Sequence, residues 1–189
     1  MATAPAAVAA PKPPKMNFSK GFVAVAGPLQ KAIEDAKKRP DVAAAKAELD
    51  AAGQANNAAA ISAARAKLAA ALAPEKAQLD QALAAIGNED DRFMYGTMAI
   101  GLGGFASDNP LQRKGLDAMI QSGKADPTQV PRFHYFAGTL AYQEKDFAAA
   151  QSHLQAAVDA GFYENNSEAI LAESFIGGGN PAKGLGILK

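Results

Sequence analysis

The chain of 189 residues contains neither cysteine nor tryptophan. Without cysteine it forms no disulfide, no thiolate zinc site and no iron–sulfur centre, and it has no cysteine nucleophile. The same absence leaves the redox compartment open, because a cysteine-free chain suits an oxidising or a reducing one. Long apolar runs are missing too. No stretch approaches the roughly 18 to 20 consecutive apolar residues that a membrane-spanning helix needs.

Strand-forming residues are also sparse, and no run of Val, Ile, Thr and aromatic residues alternates with a period of two. Alanine is abundant instead; it has the highest helix propensity and buries little surface. The composition therefore predicts an all-α protein whose helices pack closely through small faces. The length suits one good-sized core or a short repeat array.

Charge is balanced over the whole chain, with a formal net charge of zero. This balance argues against nucleic acid and anionic membranes as general partners. Basic residues outnumber acidic ones up to Lys76, and acidic ones predominate from Glu89 onward. Such an asymmetry is typical of solvated helix faces.

Residues 1–15 are rich in alanine and proline, which is typical of a disordered, partly polyproline-like tail. They lack the basic start and apolar run of a signal peptide. The segment resembles the tether that follows a removed signal in exported bacterial proteins, which favours a periplasmic or exported protein. The alternative is an ordinary flexible tail on a cytoplasmic protein.

Residues 16–88 are predicted to form Ala-rich helical hairpins. Pro28 is placed in the first turn of a helix, since proline has no backbone N–H to donate further along. Asp41 is placed as the N-cap of the next helix. The predicted helices span 28–39, 41–52, 56–73 and 74–86.

From residue 89 to 189 the signals for helix starts and ends are explicit. Asn-Pro or Asp-Pro pairs at 109–110, 126–127 and 180–181 each predict an N-cap followed by a proline in the first helical turn. Glycines at 123, 161 and 177–179 predict helix ends. The carboxyl run at 89–91 is expected just before a helix over 92–103, where it would complement the helix dipole.

An internal match gives the strongest organisational signal. Residues 41–52 (DVAAAKAELDAA) align without a gap with residues 146–157 (DFAAAQSHLQAA), 105 positions later. That separation is about three units of 35, close to the period of about 34 residues of a helix–turn–helix repeat. Residues 180–188 follow Asp146 by another 34 positions, with Gly184 in the place of Ala150.

In these residues the chain resembles the tetratricopeptide repeat family, over about 89–189 and more weakly over 28–52. In the best-matching unit Gly138 stands at the family's small position in the first helix. The small–large–small signature of the second helix is matched by Ala150, Leu154 and Ala157.

The same unit departs from the family at two positions, because His134 stands for the early tryptophan and Phe162 for the closing proline. The resemblance implies antiparallel hairpins stacked as a short α-solenoid, with the first helices lining a concave groove that holds a peptide. It specifies a fold far better than a function.

Carried onto this unit, the groove positions form a candidate peptide-binding site. Tyrosine and arginine at such positions offer large contact areas and directional hydrogen bonds. The alternative is that both tyrosines pack between hairpins. The acidic C-terminal half favours basic or neutral ligands. The candidate residues are Arg132, Tyr135, Thr139, Tyr142 and Gln143.

No catalytic constellation is recognisable. The glycine clusters at 101–104 and 177–179 lack the strand and the Lys-Ser/Thr pair of a phosphate loop and are interpreted as helix-ending turns. His134 and His153 lie on different predicted helices and have no partner at metal-ligand spacing. We therefore predict a protein that is not an enzyme and uses neither cofactor nor metal.

The resulting hypothesis is a non-catalytic scaffold that binds a protein or peptide segment in the concave groove. A second hypothesis is structural self-association through the C-terminal edge, where Leu185, Ile187 and Leu188 are expected to be partly uncovered. A third is that the chain is the helical, non-catalytic part of a longer enzyme.

Overall fold

The computed structural model describes residues 15–164 and 166–188, and within them the protein is all-α. This confirms the predicted fold class. All of the predicted tail except Lys15 lies outside the described residues. The helices are α1 (Lys20–Ala36), α2 (Pro40–Gln54), α3 (Ala58–Ala71), α4 (Ala73–Ala84), α5 (Glu89–Ala106), α6 (Asn109–Gln121), α7 (Val130–Gln143), α8 (Phe147–Asp159), α9 (Ser167–Gly177) and α10 (Pro181–Ile187).

The first helix begins earlier than predicted, and the placement of Pro28 in its first turn was wrong. The side chain of Ser19 accepts a hydrogen bond from the backbone N–H of Phe22, so α1 is capped at residue 19. Pro28 lies inside the helix on its exposed side. The apolar row that runs from Phe22 to Ala36 on the opposite side is buried, and this burial holds the helix together despite the missing hydrogen bond.

The first four helices do not all pack on their neighbours in chain order. Helix α2 packs on α3, whereas α1 packs on α4 and α5. The weak resemblance to a helix–turn–helix repeat over residues 28–52 is therefore not accompanied by a hairpin in which α1 packs on α2. Asp41 is also not the N-cap predicted for α2, since the helix begins at Pro40 and its cap residue is Arg39.

From α5 onward the helices pack in chain order. The pairs α5/α6, α7/α8 and α9/α10 are in contact, α6 packs on α7, and α8 packs on both α9 and α7. Small residues bring each pair together. A β-carbon added at Gly138 would lie 2.6 Å from Leu154 Cγ, and one added at Gly184 would lie 2.5 Å from the carbonyl oxygen of Ala172. Packing in chain order is what stacked hairpins require, while the curvature of a solenoid stays a prediction.

The predicted helix starts have mixed outcomes. Asn180 caps α10 by accepting from Lys183 N at 3.2 Å, which confirms that start. Helix α6 is capped one residue earlier than predicted, by Asp108. The start at Asp126 was wrong, because its carboxylate accepts from the backbone and hydroxyl of Thr128 in a turn, and α7 begins only at Val130.

The predicted helix ends agree better with the structure than the predicted helix starts. Gly123, Gly161 and Gly179 have positive φ angles of 62°, 83° and 87° just beyond α6, α8 and α9, as the predicted ends require. The glycine cluster at 101–104 was wrongly interpreted as a turn, because it lies inside α5. There Gly103 allows α6 to approach closely, since a β-carbon would lie 2.8 Å from the backbone nitrogen of Gln112.

Two clusters of buried apolar side chains form the core, and they share no residue. One joins α1 through α6, from Phe22 to Ala118, and the other joins α7 through α10, around Leu154, Leu171 and Phe175. The small–large–small signature of α8 is fully buried in the second cluster, with Ala150, Leu154 and Ala157 each 0% exposed. The place where α6 meets α7 and α8 thus lies between the two clusters.

Candidate functional site

The first candidate site is the surface along α7 next to α9. The five predicted residues recur at helical spacing on α7, and α7 is in contact with α9. The hydroxyl of Tyr142 donates a hydrogen bond of 2.7 Å to Glu173 Oε2 on α9. This bond, together with burial and the carboxylate charge, raises the pKa of Tyr142. The ring of Tyr142 also meets the ring of Phe147 edge-on at 6.1 Å.

Tyr135 belongs to the core rather than to the open surface. It is 8% exposed, and its ring centre lies 5.1 Å from that of Phe162 and 5.4 Å from that of Phe136. The alternative interpretation, in which the tyrosines pack between hairpins, therefore describes Tyr135 well. Its side chain shapes the surface from below and offers a ligand little area.

The other three residues differ in their surroundings. The hydroxyl of Thr139 donates to the carbonyl oxygen of Tyr135 one turn earlier. Arg132 is exposed, with its guanidinium 5.3 Å from the ring centre of Phe136, whose side chain is 39% exposed. Gln143 accepts from Asn109 Nδ2 at 3.0 Å and so is directed at α6 instead of α9. Tyr142 is thus tied to α9 by its hydrogen bond to Glu173.

Gln143 instead lines a cleft of about 350 Å³ that sequence reasoning missed. The cleft lies between α3 and α4 on one side and the start of α6 and the end of α7 on the other, and its charged lining includes Arg65, Lys76, Asp108 and Glu144. Lys76 and Asp108 are paired with each other. The charges in the lining are balanced, so the cleft has no strong preference for an ion of one sign.

A second group of polar residues lies where α6 meets α7 and α8. Asn109, Arg113 and Asp117 follow one another at intervals of four on α6, and all three are directed at the next hairpin. Arg113 makes ion pairs with Glu144 Oε2 at 3.1 Å and with Asp146 Oδ2 at 2.6 Å, both in the turn between α7 and α8.

The two carboxyl groups of this turn have pKa values shifted in opposite directions. The hydrogen bond from Arg113 is the main cause that holds the pKa of Asp146 below its usual value. Burial is the main cause that raises the pKa of Glu144, against the opposing effect of Arg113. Asp146 also caps α8 by accepting from the backbone N–H of Ala149. The turn is thereby held to α6 by charge as well as by packing.

The two histidines, which the sequence left unconnected, are in contact. His134 Nδ1 on α7 lies 3.1 Å from His153 Nδ1 on α8, and His153 Nε2 lies 3.1 Å from Asp117 Oδ1 on α6. Burial, followed by the charge of His153, lowers the pKa of His134. The signal that could have shown this contact was the hairpin itself, since it brings α7 and α8 side by side.

The described residues form no metal centre at any of these places. In residues 15–164 and 166–188 no three His, Asp or Glu side chains are grouped so that they could hold a metal ion. Within the same ranges, no helix combines the length and apolarity needed to cross a membrane.

Comparison with known proteins found no match for this chain. No protein-family model matches the chain, and neither a curated protein nor a solved structure matches it.

Proposed function

We propose that this protein is a non-catalytic interaction module that binds an extended protein or peptide segment along the surface formed by α7 and α9. The observation that carries the proposal is the hydrogen bond between Tyr142 and Glu173, which joins two first helices of successive hairpins. It places an aromatic ring and a carboxylate side by side on a half-open surface, the combination that anchors many peptide side chains.

The chemistry of this surface indicates the ligand. Glu173 is an exposed carboxylate that accepts hydrogen bonds, and Tyr142 is only partly buried. A lysine or arginine of the ligand would pair with Glu173 and lie against the Tyr142 ring. Arg132 and Thr139 extend the surface along α7, while Tyr135 supports it from the core. The expected ligand is thus a segment with at least one basic residue.

Selection from a displayed library of random linear peptides tests the proposal. The full chain is the target, and fluorescence anisotropy gives the dissociation constants of the selected peptides. Replacing Tyr142→Ala or Glu173→Gln should weaken binding about tenfold or more, the loss expected for one hot-spot contact. The control Ser152→Ala changes an exposed residue of α8 and should leave affinity within about twofold.

Two results would contradict the proposal. One is a set of peptides that bind the Tyr142→Ala variant as tightly as the unmodified protein, because binding would then lie on another surface. The other is a library that yields no binder at all. Circular dichroism of each variant establishes first that it is folded.

Self-association is the second candidate function, and exposed apolar side chains on and just after the last two helices favour it. Ile176 is 41% exposed, and Leu185 and Leu188 are each 55% exposed. Sedimentation velocity over a range of concentrations tests this candidate. Replacing Leu185→Asp should lower the mass of an oligomer, whereas Ala182→Asp on the same helix is the control. A mass that stays monomeric at every concentration would contradict it.

We also propose an exported bacterial location, which rests on the alanine- and proline-rich composition of residues 1–15. Fractionation of the source cells, with an antibody against the folded chain, tests it. Recovery in the cytoplasmic fraction alone would contradict this location.

A further inference from the structure

The cleft that Gln143 lines adjoins a second and larger cleft. This α2–α3 cleft has a volume of about 480 Å³ and lies between the end of α2 and the first half of α3. Arg65 on α3 and Ser107, just beyond α5, line both clefts, so the two clefts meet at these side chains. A ligand in the α2–α3 cleft would therefore contact three different helices or their ends.

Every charged side chain in the lining of the two clefts except one belongs to an ion pair. The pairs are Lys76 with Asp108, Glu144 with Arg113, and Asp50 with Lys46. The exception is Arg65, which forms no ion pair or hydrogen bond with the residues that the structure describes. A guanidinium presents N–H donors in a planar fork that matches a carboxylate. Arg65 is thus available to bind an anionic group of a ligand.

Ser107 adds a hydroxyl at the junction of the two clefts. The residue is partly buried, and its hydroxyl has no hydrogen-bond partner among residues 15–164 and 166–188. A hydroxyl donates one hydrogen bond, and bonds to a carboxylate are stronger than bonds between neutral groups. The hydroxyl and the guanidinium of Arg65 can therefore donate to the same carboxylate.

Asp50 brings a negative charge to the α2–α3 cleft. Its Oδ1 accepts from Lys46 one turn earlier on α2, and its Oδ2 has no partner among the described residues. Exposed pairs at this helical spacing contribute little, so the carboxylate can still accept from a ligand. Asp50 and Arg65 line the same cleft but are too far apart to form an ion pair with each other. The cleft therefore has one open acceptor and one open donor of opposite charge.

An apolar part of the lining completes the α2–α3 cleft. Leu49 is 6% exposed and Ile61 is half-buried, and both line the cleft beside the charged groups. An apolar group of a ligand would be shielded from water against these two side chains. The volume of the cleft lies within the range of small-molecule sites.

Charges of both signs in one lining select a ligand that carries both. A bare anion would be attracted by Arg65 and repelled by Asp50, and a bare cation would meet the reverse. A zwitterion is attracted by both groups at once. A zwitterion with an apolar side chain also uses the contacts to Leu49 and Ile61.

We propose that the α2–α3 cleft binds a free amino acid with an apolar side chain. Arg65 and Ser107 hold the carboxylate, Asp50 holds the ammonium group, and the side chain lies against Leu49 and Ile61. The site is separate from the peptide-binding surface of α7 and α9, and neither requires the other.

Isothermal titration calorimetry of the full chain with leucine tests the proposal. Leucine amide lacks the carboxylate and N-acetylleucine lacks the ammonium group, so each analogue leaves one charged group of the cleft without its partner. Leucine should bind at one site, and each analogue should bind about tenfold or more weakly. Glycine should also bind more weakly, because it has no apolar side chain.

Three results of this titration would overturn the proposal. The first is no binding of leucine at concentrations up to about 10 mM. The second is an affinity for either analogue equal to that for leucine. The third is an equal affinity for glycine, because the apolar part of the cleft would then not be used.

Two variants assign the charged groups of the ligand. Arg65→Gln should weaken leucine binding about tenfold or more and leave the binding of leucine amide unchanged. Asp50→Asn should weaken leucine binding and leave that of N-acetylleucine unchanged. The controls are Arg92→Gln, on α5 away from the cleft, and Asp41→Asn, an exposed carboxylate of α2. Both should bind leucine within about twofold of the unmodified protein.

The variants and the position of the bound ligand give further outcomes. Arg65 and Asp50 are exposed, so their variants should fold, as circular dichroism would show. Equal binding of leucine by both variants and the unmodified protein would overturn the proposal. In NMR spectra, leucine should shift the backbone amide resonances of Arg65 and Ser107. Shifts confined to α7 and α9 would place the ligand on the peptide-binding surface and contradict the proposed site.

Discussion

Asp91 is the residue whose replacement should cost the most stability for the smallest change in shape. Its side chain is 0% exposed, and its carboxylate accepts three hydrogen bonds. Oδ1 accepts from the backbone N–H of Ser19 at 2.9 Å. Oδ2 accepts from the Ser19 hydroxyl at 2.6 Å and from the backbone N–H of Gly87 at 2.9 Å. The carboxylate thus joins the start of α1 to the start of α5.

The Asp91→Asn variant should be destabilised by about 2 kcal/mol. An amide presents one oxygen and one NH₂ group, so at least one of the three donors meets another donor and loses its bond. Asp91→Ala leaves all three donors without their acceptor and should cost about 3 to 5 kcal/mol. For a domain of this size, the larger loss lowers the melting temperature by about 6 to 20 °C.

Urea unfolding followed by circular dichroism measures these losses. The control is Asp41→Asn, because Asp41 is also an acidic residue in the first turn of a helix but its side chain is 62% exposed. It should cost no more than about 0.5 to 1 kcal/mol. If Asp91→Asn fell within about 0.5 kcal/mol of the unmodified protein, the hydrogen bonds of Asp91 would contribute little net stability and the reasoning would be refuted.

Three further predictions concern other parts of the structure. Gly138→Ala should destabilise the protein by about 1 to 3 kcal/mol, because the added β-carbon meets Leu154. Gly101→Ala, which has open space around it within α5, should stabilise the protein by about 0.5 to 1 kcal/mol. Urea unfolding of both variants measures these changes. Because the pKa of His134 is lowered in the folded state, the unfolded state binds more protons in mild acid. The free energy of unfolding should therefore fall as the pH drops below about 6.5. The His134→Asn variant should show a weaker dependence of the melting temperature on pH in this range. Burial raises the pKa of Tyr95 to about 12, so the folded state keeps this proton and stability should fall as pH rises above about 10; Tyr95→Phe should remove that dependence in alkaline unfolding curves.

The sequence predicted where helices end better than which helices pair. Ends depend on local chemistry, so glycine at 123, 161 and 179 could be assigned from the residue type alone. Starts were less certain, because an Asp-Pro pair at 126–127 favours a turn as well as a helix. At this position the carboxylate of Asp126 accepts a hydrogen bond from Thr128, two residues on. Helix α7 begins only at Val130, with Pro131 in its first turn.

The candidate site was predictable only in part, for a geometric reason. The spacing along α7 placed five residues near one face, but it did not determine how deep each would lie. Tyr135 became part of the core because it packs against Phe162, whose ring centre lies 5.1 Å from its own. The contact of His134 with His153 depends on how α7 and α8 are rotated about their own axes, and no single-helix pattern carries that information.

The pairing of α1 with α4 and α5 illustrates why buried polar groups decide arrangements that apolar patterns leave open. The buried faces of the first four helices all combine alanine with larger apolar residues, so their pattern alone does not specify which helix α1 packs on. The two ends of α1 are instead held by carboxylates. Asp91 bonds to Ser19 before the helix, and Glu75 on α4, 4% exposed, pairs with Arg39 just beyond it at 3.0 Å.

Any other pairing would strand these carboxylates. A wrong neighbour for α1 would separate Ser19 from Asp91 and Arg39 from Glu75, and burying a carboxylate without its partner costs several kcal/mol. The position of α1 against α4 and α5 is therefore favoured by two buried carboxylates that must be satisfied at once. Such long-range pairs, 72 residues apart between Ser19 and Asp91, leave no local trace in the sequence.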